Sequence, residues 1–266
     1  MTAGTIFDKT RTPLRVWFAA AWYVTSQKLG VSALGLQRVL GLGSYQTAWA
    51  MLHRFRRAML RPDRDLLHGT VEVDEAYLAV GDKSRESRKA AGSKARGKGH
   101  LVAIAVAVEV LDPKGFGRIR LRRIQAPTID EIVPFVHANI ELGATVRSDG
   151  SPIYGPLKDE GFEHDPFVIL GSKTAAHIPL PGVHRVTSLL KRWLLGTHQG
   201  AVDPKHVDYY LDEFAFRFNR RTSRSRGMLF YRLMQQSANT TPVTYADIRD
   251  NRHSLEPSPA PPGLWS

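Results

Sequence analysis

"TVEVDEAYLAV", residues 70–80, decides the fold. Its aliphatic residues recur with a period of two, which predicts a strand. Two acids interrupt the apolar pattern. Alternation places Glu72 and Asp74 on one face, and Val71, Val73 and Glu75 on the other. An ionised carboxylate among apolar neighbours costs free energy unless it is paired or binds a cation. Asp74, in mid-strand, is therefore a candidate for chemistry.

Downstream, "HLVAIAVAVEVL" (100–111) and "GRIRLRRIQ" (117–125) predict two more strands, the second half-exposed. "TIDEIVPFVHANI" (128–140) predicts a helix capped by Thr128, and "ATVRSD" (144–149) a short strand. Residues 150–182 read as loop, and helices are expected over 183–195, about 204–219 and about 227–236. Upstream, three helices are expected within 12–60, with Ser32 and Ser44 as caps. The second and third are joined by Gly-Leu-Gly and finish on Arg54, Arg56 and Arg57, which resembles a DNA-binding helix-turn-helix. The tail from Pro257 lacks periodicity and is expected to be loosely attached.

Charge narrows the partner. The 266 residues carry 37 Lys+Arg against 25 Asp+Glu, a net +12. Such an excess suits a polyanion, since each neutralised phosphate releases condensed counterions. Residues 83–98 alone hold seven Lys+Arg and one Glu, with Arg85, Arg88, Lys89, Lys94, Arg96 and Lys98 as candidate phosphate contacts. "RFNRRTSRSRG" (217–227) adds Arg217, Arg220 and Arg221 to that set. The chain has no cysteine, which excludes disulfides and thiolate zinc sites. No apolar run is long enough to span a bilayer and no signal peptide is evident, so a cytoplasmic protein without a membrane partner is expected. No Walker-type glycine motif is present, so no nucleotide cofactor is expected.

Asp149 follows the short strand and precedes Gly150, where a turn exposes its side chain. A strand-end aspartate of this kind also forms Asx-turns. If Asp74 and Asp149 converge at neighbouring strands of a mixed sheet, they form the carboxylate pair that two-metal phosphoryl transfer uses. A third ligand would come from another element. In "HRVTSLLKRWLLGTH" (184–198), helical spacing aligns His184, Ser188, Lys191 and Leu195 on one face, opposite Val186, Leu189, Leu190 and Trp193. Lys191 and Arg192 join the candidate DNA contacts.

"AGTIFDKTRTPLRVWFAAAW", "VEVDEAYL", "VRSDG", "HRVTSLLKRWLLGTHQG" and "YLDEFAFRFNRRTSRSRGMLFYRL" together resemble insertion-sequence transposases with a DDE-type catalytic domain, the ISXO-type group. The resemblance implies a helical segment over 1–62, a ribonuclease-H-like α/β domain over 68–236 with a mixed sheet flanked by helices, and a tail over 237–266. It further implies a metal-dependent enzyme that cuts transposon ends and joins them to target DNA, using Mg²⁺ or Mn²⁺ and working as a homo-oligomer on DNA. Asp74 and Asp149 match the first two metal-binding aspartates. The third acid of the family lies seven residues before a lysine. Lys191 fits that lysine, so His184 takes the third position, and Glu213 is the runner-up. Family members usually begin with a cysteine-rich zinc ribbon, which is not seen ahead of "AGTIF" here. A truncated frame, a misassigned start and a lost ribbon are all compatible with that, and the alternative to an active enzyme is a DNA-binding remnant.

Overall fold

A computed structural model describes residues 2–61, 64–81, 100–167 and 180–251. The strand that opened the sequence reading, β1 (Thr70–Val80), lies at the centre of a five-stranded sheet. The order is β3 (Phe116–Ile124), β2 (His100–Val110), β1, β4 (Thr145–Ser148), β5 (Glu163–Pro166). β3, β2 and β1 pair antiparallel, whereas β1, β4 and β5 pair parallel. This mixed sheet, flanked by helices, is the ribonuclease-H-like α/β class implied by the resemblance.

Each face has its own cover. Val71, Val73, Ala103, Ala105, Ala107 and Val146 share a core with Ile132, Phe135 and Val136 of α4 (Ile129–His137) and with Tyr154 and Leu157. The last two belong to a 3₁₀ helix over Pro152–Lys158. The alanines keep this face of β2 flat, so the helix can approach closely. The opposite face carries Glu72 and Asp74 and packs on α5 (Pro181–His198). Pro181 starts that helix where its missing N–H is harmless. Val183, Val186, Thr187, Leu190 and Leu194 are its buried stripe, at the 3–4-residue spacing of an amphipathic helix.

β5 was expected as loop. Its sequence, Glu-His-Asp-Pro, is polar and only four residues long, which suits a charged sheet edge but gives no apolar alternation to read. Cross-strand contacts define it: Arg147 Nε lies 3.0 Å from Asp165 Oδ2, and Thr145 Oγ1 donates to Glu163 Oε2.

Contacts divide the chain into Asp65–Val207, which holds the sheet, and a second unit made of Met1–Arg64 with Asp208–Ser266. By contacts, residues 208–236 group with the N-terminal helices. Helices α1 (Leu14–Ser26), α2 (Ala33–Leu40) and α3 (Tyr45–Met59) combine with α6 (Val207–Phe218) and α7 (Arg226–Asn239). Trp17 sits between Phe7 and Phe55, edge-on to both at 5.3 and 5.4 Å, in a core that includes Phe216 and Leu233. Ser32 caps α2 by accepting from the Gly35 N–H; Ser44 makes no such bond at α3. Part of the expected tail forms α8 (Tyr245–Asp250), with a Thr244–Asp247 capping box and with Val243 and Ile248 buried. Residues 252–266 lie outside the described part. Among the described residues, no helix is long and apolar enough to cross a membrane.

Several cations expected at DNA serve this second unit internally. Arg56 is 2% exposed and its Nε donates to Glu213 Oε2 at 2.8 Å, with its guanidinium 4.0 Å above the Tyr210 ring. Arg217 bonds the other oxygen of Glu213 and also donates to Val24 O and Gln27 O at the end of α1. Arg54 donates to Val243 O, and Arg57 to Thr241 Oγ1. Arg220 stacks on Phe216 and Arg221 on Phe218. Arg56 is therefore no phosphate contact. Glu213, at 1% exposure between two guanidiniums, is committed to a structural ion pair and not to a metal.

Removing one partner of a buried ion pair strands the other charge. Glu213→Ala should lower unfolding free energy by about 3–5 kcal/mol, read from urea denaturation. A loss under about 1 kcal/mol, the range of an exposed pair, would show that Arg56 and Arg217 do not depend on it.

Candidate active site

The parallel ladder of β1 and β4 brings the two aspartates together. Its Cα partners are Thr70↔Thr145, Val71↔Val146 and Glu72↔Arg147, a constant offset of 75 (145 − 70). Two residues further on, 74 + 75 = 149, so Asp74 and Asp149 occupy matching positions just past the end of the ladder. β1 continues to Val80 against β2, while β4 stops at Ser148. The carboxylates thus sit where the sheet opens at the C-terminal end of β4.

The two are electrostatically coupled. The Asp74 carboxyl is pushed up to about 6, chiefly by burial and further by the negative charge of Asp149, against the pull of the Glu75 N–H that donates to its Oδ1. Asp149 Oδ1 accepts from the Ser151 N–H at 2.9 Å, the Asx-turn that its setting beside Gly150 suggests. A desolvated acid facing a second acid is stabilised by a cation placed between them. Hard oxygen donors in this arrangement fit Mg²⁺ or Mn²⁺.

Sequence reasoning missed two neighbours. Tyr154, fully buried, donates its hydroxyl to Glu75 Oε1 at 2.5 Å. Burial raises the Glu75 carboxyl above its usual range, Tyr154 opposes this, and Asp74 and Asp149 add to it. The Tyr154 phenol is likewise held above its usual range by burial, then by Glu75, Asp74 and Asp149, and so remains a donor. Alternation put Glu75 on the face away from Asp74. The signal that links them is the turn after Asp149, which carries Tyr154 beneath β1.

Glu72, two residues before Asp74 on the same face, anchors α5. Its Oε2 accepts from the N–H groups of Gly182 (2.7 Å) and Val183 (3.0 Å), and it is 1% exposed. Burial raises its carboxyl, while the two N–H groups, Arg147 and His184 act in the opposite direction. A negative charge at a helix N-terminus is also favoured by the helix dipole. The approach is so close that a Cβ at residue 182 would lie 2.8 Å from both Glu72 Oε2 and Phe116 Cε1.

That anchor sets the first turn of α5, where His184 lies. His184, Ser188, Lys191 and Leu195 are exposed along one face, as helical spacing predicts, with Arg185 and Arg192 beside them. His184 is not gathered with the aspartates: among the described residues, no three His, Asp or Glu side chains stand close enough to hold a metal ion. Arg85, Arg88, Lys89, Lys94, Arg96 and Lys98 lie outside the described residues.

Residues 66–219 match the family model described as ISXO2-like transposase domain. The chain belongs to the ISXO2-like transposase family. It is 31% identical over 222 residues to an uncharacterized protein in transposable element ISH50 of Halobacterium salinarum, covering 80% of this chain and 72% of that one. A chain of the simian T-cell lymphotropic virus intasome in complex with PP2A regulatory subunit B56 gamma aligns with 85% of this chain and 74% of its own length, at 14% identity and a TM-score of 0.32. Within the family domain, the β1–β4 carboxylates and the N-terminus of α5 are the two parts that the sheet brings to one face.

Two outcomes follow from this geometry. The raised Asp74 carboxyl contributes stability below its unfolded value of about 4, and that contribution is lost as pH rises through about 6. In chelator-treated protein, the melting temperature should fall between about pH 4 and about pH 6, and fall less in Asp74→Asn. Equal falls would assign the slope to other groups. Gly182→Ala should cost about 1–3 kcal/mol through displacement of Glu72 or Phe116, measured by denaturant titration; a neutral effect would mean that the α5 N-terminus yields freely.

Proposed function

We propose that this chain is a DNA transposase that cleaves transposon ends and joins them to target DNA in the cytoplasm, with Asp74 and Asp149 as ligands of Mg²⁺ or Mn²⁺. The observation that carries it is the matched placement of these two carboxylates past the β1–β4 ladder, in a domain of this family. Bound metal would stabilise charge on the attacking and leaving oxygens of a phosphodiester. Asp74 and Asp149 would hold it, and His184 stands at the position that the resemblance assigns to the third ligand.

In cleavage, a water oxygen forms the new bond to phosphorus, the bond to the 3′-oxygen breaks, and the freed 3′-hydroxyl is the nucleophile of the joining step. The chain's part is to hold DNA in line with the carboxylates. Lys191 and Arg192, exposed on the face of α5 that also carries His184, supply positive charge for phosphates. Arg185 extends the same surface. Two DNA ends must meet for joining, which calls for a homo-oligomer on DNA. A binding-only protein is the second reading, and the observation in its favour is that no third ligand joins the pair among the described residues.

End-labelled duplexes carrying the inverted repeats that flank the gene, incubated with Mg²⁺ or Mn²⁺, separate the two readings. Cleavage by wild type should fall to background in Asp74→Ala and in Asp149→Ala, and His184→Glu should retain it with an altered metal preference. Lys191→Ala should weaken DNA binding and reduce the slope of log K against log salt by about 1. Full cleavage by either aspartate variant would overturn the metal assignment; binding without cleavage by wild type would establish the second reading.

A further inference from the structure

We propose that Glu75 and Tyr154 form a positioning pair that pins the Asp149 turn to β1 and so fixes the spacing of Asp74 and Asp149, an inference that rests on the metal-site reading above. The backbone ladder between β1 and β4 ends at Glu72↔Arg147. Asp74 and Asp149 come two residues later, where no ladder pair joins the strands. Both are acids, and their mutual repulsion pushes the turn outward. Ser148, just before the turn, is bonded to Phe167 and His164 on the β5 side, so what is missing is a tie on the β1 side.

On the β1 side, beyond the ladder, Tyr154 Oη donates a hydrogen bond to Glu75 Oε1. It closes a small loop. From Ser148 the chain passes through Asp149, through Gly150 at φ 75°, and into the 3₁₀ helix that begins at Pro152. Gly150 supplies the left-handed backbone that this reversal needs. The Tyr154 N–H bonds Ser151 O at 3.1 Å, which ties the tyrosine to the start of the turn. Its ring is seated in the core with Leu157, Phe135 and Val146, so the anchor is rigid. A buried phenol requires an acceptor, and Glu75 provides it.

Glu75 leaves β1 on the pleat face opposite Asp74, toward the 3₁₀ helix, which is why it is assigned as a positioning residue and not as a ligand. Outer-shell partners of this kind tune metal affinity by about 10–100-fold when removed.

Tyr154→Phe removes the hydroxyl and keeps both the ring and the charge. Two readouts are needed. Hydrogen exchange at the Ser151 and Tyr154 amides should become roughly five- to tenfold faster, with the Val106 amide of β2 unchanged as an internal control for folding. Mn²⁺ binding, followed by electron paramagnetic resonance, should weaken about tenfold. Glu75→Gln retains an acceptor and should keep the exchange protection, whereas Glu75→Ala should lose it. Unchanged exchange in Tyr154→Phe, or equal loss in Glu75→Gln and Glu75→Ala, would overturn the pairing. Failure of the wild type to bind Mn²⁺ would instead sink the metal-site reading, and exchange would still decide the clamp.

Discussion

The parallel ladder between β1 and β4 spans three residues on each strand, and its register decides which side chains meet beyond it. A slip of one residue would turn Asp149 toward the α4 face and leave Asp74 opposite a different side chain. The register is fixed from both faces. Val71 and Val146 are a Cα pair, and both are buried against the α4 face, where a shifted strand would expose one of them. On the other face Glu72 pairs with Arg147 and receives the N-terminus of α5. The hydrophobic side of the sheet thus sets the alignment, and the polar side uses it.

Buried acids are handled in two ways in this chain. Glu213 and Glu109 are compensated within the protein. Arg56 and Arg217 flank the first, and Arg118 reaches the second at 2.6 Å with a further bond from its own backbone N–H. Glu72 is satisfied by two backbone N–H groups. Asp74 differs, since its bond is to the Glu75 N–H and its electrostatic neighbour is another acid. Leaving charge uncompensated costs stability, and such sites are where a protein receives a ligand that supplies the missing charge. The Asp212 carboxyl is also raised, to about 8, by burial and by Asp208, with Arg64 opposing it. What distinguishes Asp74 and Asp149 is their matched place past the β1–β4 ladder.

Much of this is legible in the sequence itself. The strand limits of β1 follow from alternation alone, and Asp74 stood out because an acid at mid-strand conflicts with its neighbours. The exposed face of α5 followed from helical spacing. What sequence left out depends on partners far along the chain. Arg56 and Glu213 are 157 residues apart, so nothing local distinguishes a structural arginine from one that meets phosphate. β5 lacks apolar residues and owes its existence to the strand beside it. Glu75 was placed correctly on its face, yet its link to the site comes through Tyr154, 79 residues away and in a stretch read as loop.

The arginines bear on how net charge is interpreted. A sum of +12 suggests a polyanion partner, but it treats every cation as available. Here Arg56 is enclosed, Arg217 closes the end of α1, and Arg118 is held by Glu109. Lys191 and Arg192 differ because α5 turns them outward on the face opposite its buried stripe, beside the residue that follows the Glu72 anchor. Their position is set by the same carboxylate that lies two residues from Asp74. The cations and the carboxylate pair are therefore linked through one strand: β1 carries Asp74, and through Glu72 it fixes the helix that presents the cations. That link, more than the total charge, is what ties the exposed cations of α5 to the carboxylates of the sheet.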